Sequence, residues 1–432
     1  MGRSFDLLSE RKKFIAAVGV ALMLIASSTI EGCIHGDAGP CEESNSTGIS
    51  TAGASFPVFD NGASVIFQCP ETGKYTNISS PTIAWQRAVS AAETRQYVWF
   101  NSSCEPFCWT NGSFWTDANA LEALLNLKAE ADLNNSGALT QQLANVTKDI
   151  FQTQDTTPLL VAPPYYDDAL WWGLAWLRAY EEFGNINYLD RSLGILDTVY
   201  SLAWDTSFCG GGLWWNTDRQ YKNAITNELF AALSSKLALT TGNKTIEGYA
   251  MQSFNWFQQS GMLNPSSNLI NDGLNSTCQN NNQTRWTYNQ GLILSAATNM
   301  YKITNDPSYL NYTTMIACAA LTNLVYPDDG VLMDPCDLGP GGCDADGSQF
   351  KGVFVRHLLY ATQVLETVLG SPAPWRKDIG HMADIMWANS RLQNGTMDEL
   401  GGNWKGPFDG ATPIRQAAAL DLLVFAADKF TM

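Results

Sequence analysis

Apolar residues recur at spacings of three and four along most of this chain, which is typical of helices with one buried face. The pattern predicts twelve helices, at about residues 82–94, 117–132, 138–151, 168–183, 188–204, 223–240, 245–259, 290–303, 309–325, 351–368, 375–390 and 412–429. Residues 34–80 lack this period and are rich in Ser, Thr, Gly, Asn and Pro. We predict an irregular arm there, with Cys41 and Cys69 as the pair that would pin it.

Short polar turns of one type join several of the predicted helices. Gly184, Gly242 and Asn305 occupy equivalent positions in these turns, 58 and 63 residues apart. A helical hairpin repeated at this period indicates paired helices that stack on their neighbours. Six such pairs either close into a ring of six inner and six outer helices or form an open solenoid. The longer connections would line a cleft at one rim; they are residues 205–222, 260–289 and 326–350.

Charge narrows the class of partner. The formal net charge is -17 and the pI is about 4.5, whereas nucleic acids and anionic membrane surfaces require basic patches. We therefore expect an uncharged substrate and no nucleic acid. Aromatic residues make up 11% of the chain, including fifteen tryptophans. Most of these rings will pack in the core, but some are available to stack on the apolar faces of sugars.

The N-terminus has the features of a secretory signal: three basic residues at 11–13, an apolar run over 14–26, and small residues that suit cleavage after Ser28. An uncleaved signal anchor, which would tether the protein to a membrane, is the alternative. Eleven Asn-x-Ser/Thr sequons fit a secreted eukaryotic glycoprotein; they begin at Asn45, Asn77, Asn101, Asn111, Asn134, Asn145, Asn243, Asn275, Asn282, Asn311 and Asn394.

Ten cysteines in a chain with a signal indicate disulfides rather than metal ligands. We predict the local pairs Cys104–Cys108 and Cys336–Cys343. Only three histidines occur, so the chain offers few ligands for a zinc site and few candidates for the base of a histidine-based triad. We expect no metal and no organic cofactor.

Asp167 and Asp168 stand side by side after Pro163 and Pro164, at the start of a helix lined with tryptophan. The prolines end any preceding helix, and Asp167 suits the capping position of the next one. Neighbouring residues at a helix start project about 100° apart, so two carboxylates can approach a bound sugar from different directions. Retaining glycosidases hold such a pair roughly 5 to 5.5 Å apart. On this motif alone the simpler interpretation, a helix cap with a favourable dipole contact, is also open.

Three other stretches mix rings with hydrogen-bonding groups before a predicted helix, as sugar recognition requires. They are residues 210–216 with 221–228, residues 286–291 with Asp272 upstream, and residues 344–352. The Asp-Ala-Asp-Gly run at 344–347 is similar to a calcium loop but lacks the remaining ligands, so we do not expect calcium there.

Taken in order, these stretches resemble glycoside hydrolase family 76, the endo-acting α-1,6-mannanases and their fungal cell-wall relatives. The resemblance covers about residues 110–430 and runs through Phe114-Trp115 with Asn119, Asp167-Asp168-Ala169-Leu170-Trp171-Trp172, Gly211-Gly212-Leu213-Trp214-Trp215, Tyr221-Lys222-Asn223-Ala224 with Asn227-Glu228-Leu229, Trp286-Thr287-Tyr288-Asn289-Gln290-Gly291, and Phe350-Lys351-Gly352-Val353-Phe354.

The resemblance implies an all-α (α/α)6 barrel and a retaining mechanism on α-1,6-linked mannose. It implies Asp167 as the nucleophile and Asp168 as the general acid. By motif position it also implies a substrate cleft formed by Trp172, Trp214, Trp215, Asn223, Asp272, Trp286, Tyr288 and Asn289.

We therefore expect a secreted or cell-wall endo-α-1,6-mannosidase that acts on mannan as a monomer. Its predicted parts are a signal at 1–28, an arm at 29–80 and a barrel domain at 81–432. The alternatives are a transglycosidase that links mannan-bearing glycans to cell-wall glucan and a glycan-binding protein without turnover.

Overall fold

The computed structural model describes residues 69, 74–101, 108–109, 113–134, 136–154 and 158–430. The predicted signal, most of the predicted arm and Cys104 lie outside these residues. Within the described ranges, none of the helices is both long and apolar enough to cross a lipid bilayer.

The described residues contain twelve helices of fourteen to 23 residues, one for each predicted segment. They are α1 Pro81–Trp99, α2 Phe114–Leu133, α3 Gly137–Gln154, α4 Tyr166–Phe183, α5 Ile186–Ala203, α6 Ala224–Thr241, α7 Lys244–Gln259, α8 Thr287–Thr304, α9 Ser308–Asn323, α10 Gly347–Leu369, α11 Arg376–Asn389 and α12 Pro413–Ala427. A single helical turn, Pro158–Val161, precedes α4.

The repeated polar turns stop one helix and start the next. Gly184 and Gly242 adopt left-handed backbone conformations with φ of 65° and 67°, and Asn305 does the same at 57°. Such a residue ends a helix because its N–H returns to a carbonyl of the last turn. The side chains of Asn185 and Asn243 then accept hydrogen bonds from the first N–H groups of α5 and α7. The α4–α5 and α6–α7 hairpins are therefore closed by local chemistry that is visible in the sequence.

The even-numbered helices form the inner ring. Each packs against the next, from α2 through α4, α6, α8 and α10 to α12, and α12 packs against α2. The odd-numbered helices lie outside, for example α5 on α4, α7 on α6 and α9 on α8. The contact between α12 and α2 closes the ring, which confirms the (α/α)6 barrel and excludes the open solenoid.

Glycines allow the closest approaches between inner helices. A Cβ atom on Gly291 of α8 would lie 2.6 Å from the Cα atom of Phe354 on α10. A Cβ atom on Gly352 of α10 would lie 2.5 Å from the Cα atom of Ala418 on α12. The obstructing atoms are backbone, so neither contact can be relieved by rotating a side chain.

We therefore expect Gly352→Ala to destabilise the barrel by about 1 to 3 kcal/mol, because two helix backbones must move apart. Gly194→Ala on the outer helix α5 is the matched control, since a Cβ atom there meets nothing within 4 Å. The control should be neutral or stabilising by up to about 1 kcal/mol, because alanine favours helix. Urea unfolding of both variants checks this, and equal behaviour of the two would contradict the packing argument.

Two short antiparallel hairpins lie in connections between helices, and three disulfides join pairs of cysteines among the described residues. Strand β1 (Leu263–Asn264) pairs with β2 (Leu269–Ile270), and β3 (Arg391–Asn394) pairs with β4 (Met397–Leu400). The predicted disulfide Cys336–Cys343 is confirmed. Two further disulfides join Cys209 to Cys278 and Cys69 to Cys318.

The expected pairing of Cys69 with Cys41 is wrong, because the partner Cys318 lies on the outer helix α9, 249 residues away in sequence. A pairing across that distance depends on the fold and has no local signal.

Candidate active site

A cleft of about 540 Å³ opens at the rim where the inner helices begin. Pockets that bind small organic ligands usually span roughly 300 to 1,000 Å³. The first turns of α2, α4, α8 and α10 and the long connections line it, through Ser113, Trp115, Tyr165, Asp167, Asp168, Trp171, Trp215, Tyr221, Asn223, Asp272, Tyr288, Asp346 and Phe350. The predicted rim cleft is thus where both predicted catalytic aspartates lie.

Asp167 and Asp168 lie in the first turn of α4. The helix begins at Tyr166, with Tyr165 at the capping position, so Asp167 is not the cap that the sequence suggested. The indole Nε1–H of Trp215 donates to Oδ2 of Asp167 at 2.9 Å, and the main-chain N–H of Asp168 donates to Oδ1 at 3.1 Å. Asp167 is therefore held on both oxygens.

Burial and the negative charges of neighbouring carboxylates raise the pKa of both carboxyl groups. Burial raises the pKa of Asp167 well above its usual value, and the neighbouring charge of Asp168 raises it further, whereas the two N–H donors lower it. Burial, followed by the charge of Asp346, raises the pKa of Asp168 to about 7. Among the described residues, no donor stabilises the Asp168 carboxylate. Asp167 is thus the member of the pair whose anion is stabilised by hydrogen bonds.

Aromatic rings form one wall of the cleft. Tyr288 and Phe350 stack with their centroids 3.9 Å apart, and Trp115 contacts both Phe350 and Trp171 at 6.3 and 5.6 Å. Nearer Asp167, Tyr165 tilts against Trp215 with a centroid distance of 5.0 Å. Flat apolar faces beside carboxylates suit a ligand that is apolar on one face and hydroxylated at its edges, as a sugar ring is.

A second carboxylate region lies opposite, on the connection to α8. The hydroxyl group of Tyr221 donates to Oδ2 of Asp272 and accepts a hydrogen bond of 2.9 Å from Nδ2 of Asn281. The main-chain carbonyl of Asp272 accepts a 2.7 Å hydrogen bond from the N–H of Ala224, which ties this connection to the start of α6. Asn223, also in the cleft, caps α6 through its side-chain oxygen.

The structure adds Asp346 to the cleft, a residue that the sequence presented only as part of a calcium-like run. Its Oδ1 atom accepts a 3.0 Å hydrogen bond from Nε1 of Trp115. Trp115, Trp171, Tyr165, Tyr221 and Phe350 were likewise not among the predicted site residues. The available signal was positional for five of these six, which lie in the first turn of an inner helix or up to three residues before it, whereas Trp171 lies in the second turn of α4.

Four of the predicted substrate residues do not line the cleft. Trp172 is fully buried, and its Nε1–H donates to the main-chain oxygen of Phe114. Trp214 is buried beneath the rim and bonds to Asp205. Asn289 is fully buried on α8, and Trp286 packs edge-on against Phe350 beside the cleft. Trp215, Asn223, Asp272 and Tyr288 lie where we predicted.

We expect Asp346→Asn to move the alkaline limb of the pH profile of kcat/KM to lower pH. If Asp168 is the general acid, as the sequence predicts, this limb reports its carboxyl group, whose pKa of about 7 is raised in part by the charge of Asp346. Removing that charge lowers the pKa, so the protonated acid is lost earlier as the pH rises. Asp190→Asn, on the exposed face of α5, is the control that leaves the limb in place. A wild-type limb in Asp346→Asn would show that the two groups do not interact.

Comparison with known proteins identifies the family. The model of glycosyl hydrolase family 76 matches residues 85–429. Mannan endo-1,6-alpha-mannosidase DCW1 of Saccharomyces cerevisiae is 28% identical over 275 residues, which are 60% of this chain and 59% of that protein. Mannan endo-1,6-alpha-mannosidase DFG5 of Candida albicans is 28% identical over 281 residues, 60% of this chain and 59% of that protein. The chain therefore aligns with less than two thirds of the length of these relatives.

Solved structures share the fold. The α-1,6-mannanase of a Salegentibacter species superposes with a TM-score of 0.66 at 19% identity, over 80% of this chain and 99% of that one. An inactive variant of that enzyme, with two adjacent aspartates replaced by asparagine, was solved with α-1,6-mannotriose. Dfg5 of Chaetomium thermophilum, in complex with glucosamine, has a TM-score of 0.68 at 19% identity, over 82% of this chain and 92% of that one.

Proposed function

Because the chain belongs to glycosyl hydrolase family 76, we propose that it is a retaining, endo-acting α-1,6-mannosidase that cleaves the backbone of an α-1,6-linked mannan. The observation that carries the proposal is the adjacent pair Asp167 and Asp168 in a cleft walled by aromatic rings. The names of the relatives and the oligosaccharide bound to the Salegentibacter enzyme support the substrate class.

Asp167 is the proposed nucleophile. A nucleophile must be ionised when the substrate binds. Burial raises the pKa of both aspartates, but the hydrogen bonds from Trp215 and from the Asp168 main chain stabilise only the Asp167 anion, so a single proton on the pair lies on Asp168. One carboxylate oxygen attacks the anomeric carbon of the sugar. A covalent glycosyl ester forms as the bond to the leaving oxygen breaks.

Asp168 is the proposed general acid and base. Its pKa of about 7 keeps it protonated in neutral or mildly acidic solution, so it can give its proton to the leaving oxygen. The resulting carboxylate then takes a proton from water, whose oxygen attacks the anomeric carbon and releases Asp167. At the end of the cycle, Asp168 is protonated again and Asp167 is again a carboxylate.

Substrate contacts are proposed for the residues that line the cleft beside the pair. Trp215 and Tyr288 offer ring faces, whereas Asp272 and Asn223 offer polar atoms to sugar hydroxyl groups. The buried Trp172, Trp214 and Asn289 support this surface from below and do not contact the sugar. Trp286 would act through Phe350.

Transglycosylation would use the same covalent intermediate with a sugar hydroxyl group in place of water. The non-catalytic alternative is disfavoured because both aspartates are present and face the cleft. A membrane tether applies only if the N-terminal signal stays uncleaved.

We further propose a signal at 1–28, an arm at 29–80 and a single catalytic domain over 81–432, secreted to the cell wall or surface as a monomer without a cofactor. The family match over residues 85–429 supports the domain boundary, and the disulfides suit an oxidising compartment. Among the sequons, Asn243, Asn275 and Asn282 are exposed, whereas Asn311 is buried on α9. Exposed asparagines are the ones that can carry a glycan in the folded protein.

The test is to incubate the secreted protein with linear α-1,6-mannan and with α-1,6-mannotetraose, alone and with a glucan acceptor, and to identify products by mass spectrometry. Short manno-oligosaccharides with retained α configuration in early proton spectra support the proposed hydrolysis. Longer or mixed chains would instead favour the transglycosidase. Binding without any product would favour the glycan-binding alternative.

A further inference from the structure

We infer that Lys222 is a positioning residue for the catalytic pair: from inside the connection between α5 and α6, its ammonium group organises the loop that brings Trp215 to Asp167. The inference rests on the proposed function, because it assigns Lys222 a role in the same reaction. Lys222 lies outside the cleft and is 1% exposed, so it does not touch the substrate.

The Lys222 ammonium group is bonded to the loop main chain. Its Nζ atom donates to the main-chain oxygens of Asp205, Phe208 and Gly211 at 2.7, 2.7 and 2.6 Å. The face of Trp214 lies 4.7 Å from the same nitrogen. Three N–H groups thus satisfy three carbonyls spread over seven residues that have no helix or sheet to bond them. The Phe208 carbonyl also accepts a hydrogen bond of 3.5 Å from the N–H of Gly211. Without the lysine, the carbonyls of Asp205 and Gly211 would lose the donors described here, which is costly where water cannot replace them.

The next part of the loop carries Trp215. Its main-chain N–H donates to the carbonyl of Tyr221 at 2.8 Å, and its carbonyl accepts from the N–H of Tyr166 at 2.9 Å. The indole then reaches Asp167. Trp215 is therefore fixed between the residue that precedes Lys222 and the first residue of α4, so the loop held by Lys222 controls the donor that stabilises the proposed nucleophile.

A general structural role and a positioning role differ in their effect on Asp167. Loss of the indole donor should raise the pKa of Asp167, which moves the acid limb of the pH profile of kcat/KM to higher pH. Simple destabilisation lowers the amount of active enzyme and leaves the limb where it is. Asp168 is the adjacent titrating group, and its proton is reported by the opposite, alkaline limb.

The experiment compares Lys222→Met, Trp215→Phe and the double variant with Lys244→Met, a control lysine on the exposed start of α7. Both single variants should move the acid limb in the same direction and lower kcat about 10- to 100-fold, as expected for the loss of a hydrogen bond to a charged group. The double variant should be no worse than Trp215→Phe, because Lys222→Met acts through the indole that Trp215→Phe already removes. Lys222→Gln, which keeps an amide donor, replaces the methionine variant if that protein does not fold.

Hydrogen exchange measured by mass spectrometry gives a readout that needs no substrate. Residues 205–216 should exchange faster in Lys222→Met than in wild type, and Lys244→Met should match wild type. An acid limb unchanged in the Lys222 variants, additive losses in the double variant, or unchanged exchange in 205–216 would each overturn the inference. If wild-type protein forms no product, the proposed function fails, and the exchange comparison still decides whether Lys222 organises the loop.

Discussion

Asp168→Asn is expected to stop the release of products from α-1,6-mannotetraose, with kcat reduced by about 10²- to 10⁴-fold, the usual contribution of a general acid. Asparagine has the shape of aspartic acid but has no proton to give to the leaving oxygen. Asp167→Asn should be at least as severe, because the amide cannot form the glycosyl ester. Neither change should lower the melting temperature, since each removes one of two partly buried carboxyl groups that repel each other when ionised.

The two roles can be separated with an activated aryl α-mannobioside, whose leaving group needs no proton. Asp168→Asn should still release the aryl group in a burst, because Asp167 can form the ester, whereas Asp167→Asn should not. Asp190→Asn on the exposed face of α5 is the matched control for expression and folding. A burst from Asp167→Asn and none from Asp168→Asn would reverse the assignment. Full turnover of mannotetraose by either variant would show that the substituted aspartate is not catalytic.

The helical part of the fold could be predicted because its signals are local. The period of apolar residues located every long helix of the described residues. The left-handed Gly184 and the asparagine cap that follows it can be read from the sequence of the turn itself. Closure of the ring was left open from spacing alone, since it depends on α12 meeting α2, nearly 300 residues apart in sequence. The pairing of Cys69 with Cys318 was missed for the same reason.

The sequence predicted the two aspartates at the centre of the candidate site, but only some of the residues that surround them. Asp167 and Asp168 were found because adjacent acids before a tryptophan-rich helix form an unusual motif. Trp171 and Trp172 differ by one position, about 100° of rotation, and only the first faces the cleft. The helix phase relative to its neighbours decides between them, and that phase depends on packing. Asp346 was missed because it approaches the pair only after α10 joins the ring.

Arg356 also makes contacts between helices that are distant in sequence, and we expect its substitution to destabilise the barrel strongly. Its guanidinium group, 4% exposed on α10, donates to the main-chain oxygen of Asn119 at 3.0 Å and to Glu122 at 3.1 Å, both on α2. On the other side it lies 3.7 Å from Asp421 of α12. One side chain thus joins three inner helices around the barrel axis, including the two whose contact closes the ring.

Arg356→Met is expected to destabilise the protein by about 3 to 5 kcal/mol, because it leaves buried carboxylates without their partner. Burial already raises the pKa of Asp421 to about 8, and the charge of Arg356, followed by that of Arg95, opposes this rise. Without the arginine that pKa rises further above its unfolded value, so the stability of the variant falls over a wider range as the pH increases. In wild type this fall ends near pH 8, so the deficit of the variant should grow above about pH 8 and be larger at pH 9.5 than at pH 7.

Urea unfolding at both pH values measures this deficit. Adding Glu122→Gln and Asp421→Asn to Arg356→Met should recover part of the loss, because neutral amides do not need the cation, whereas Lys244→Met, which breaks only an exposed ion pair, should change little. A deficit independent of pH and not reduced by the two amide substitutions would mean that Arg356 acts through its packing alone. The expected result would instead show that buried charge, as well as apolar surface, holds the ring closed beneath the cleft.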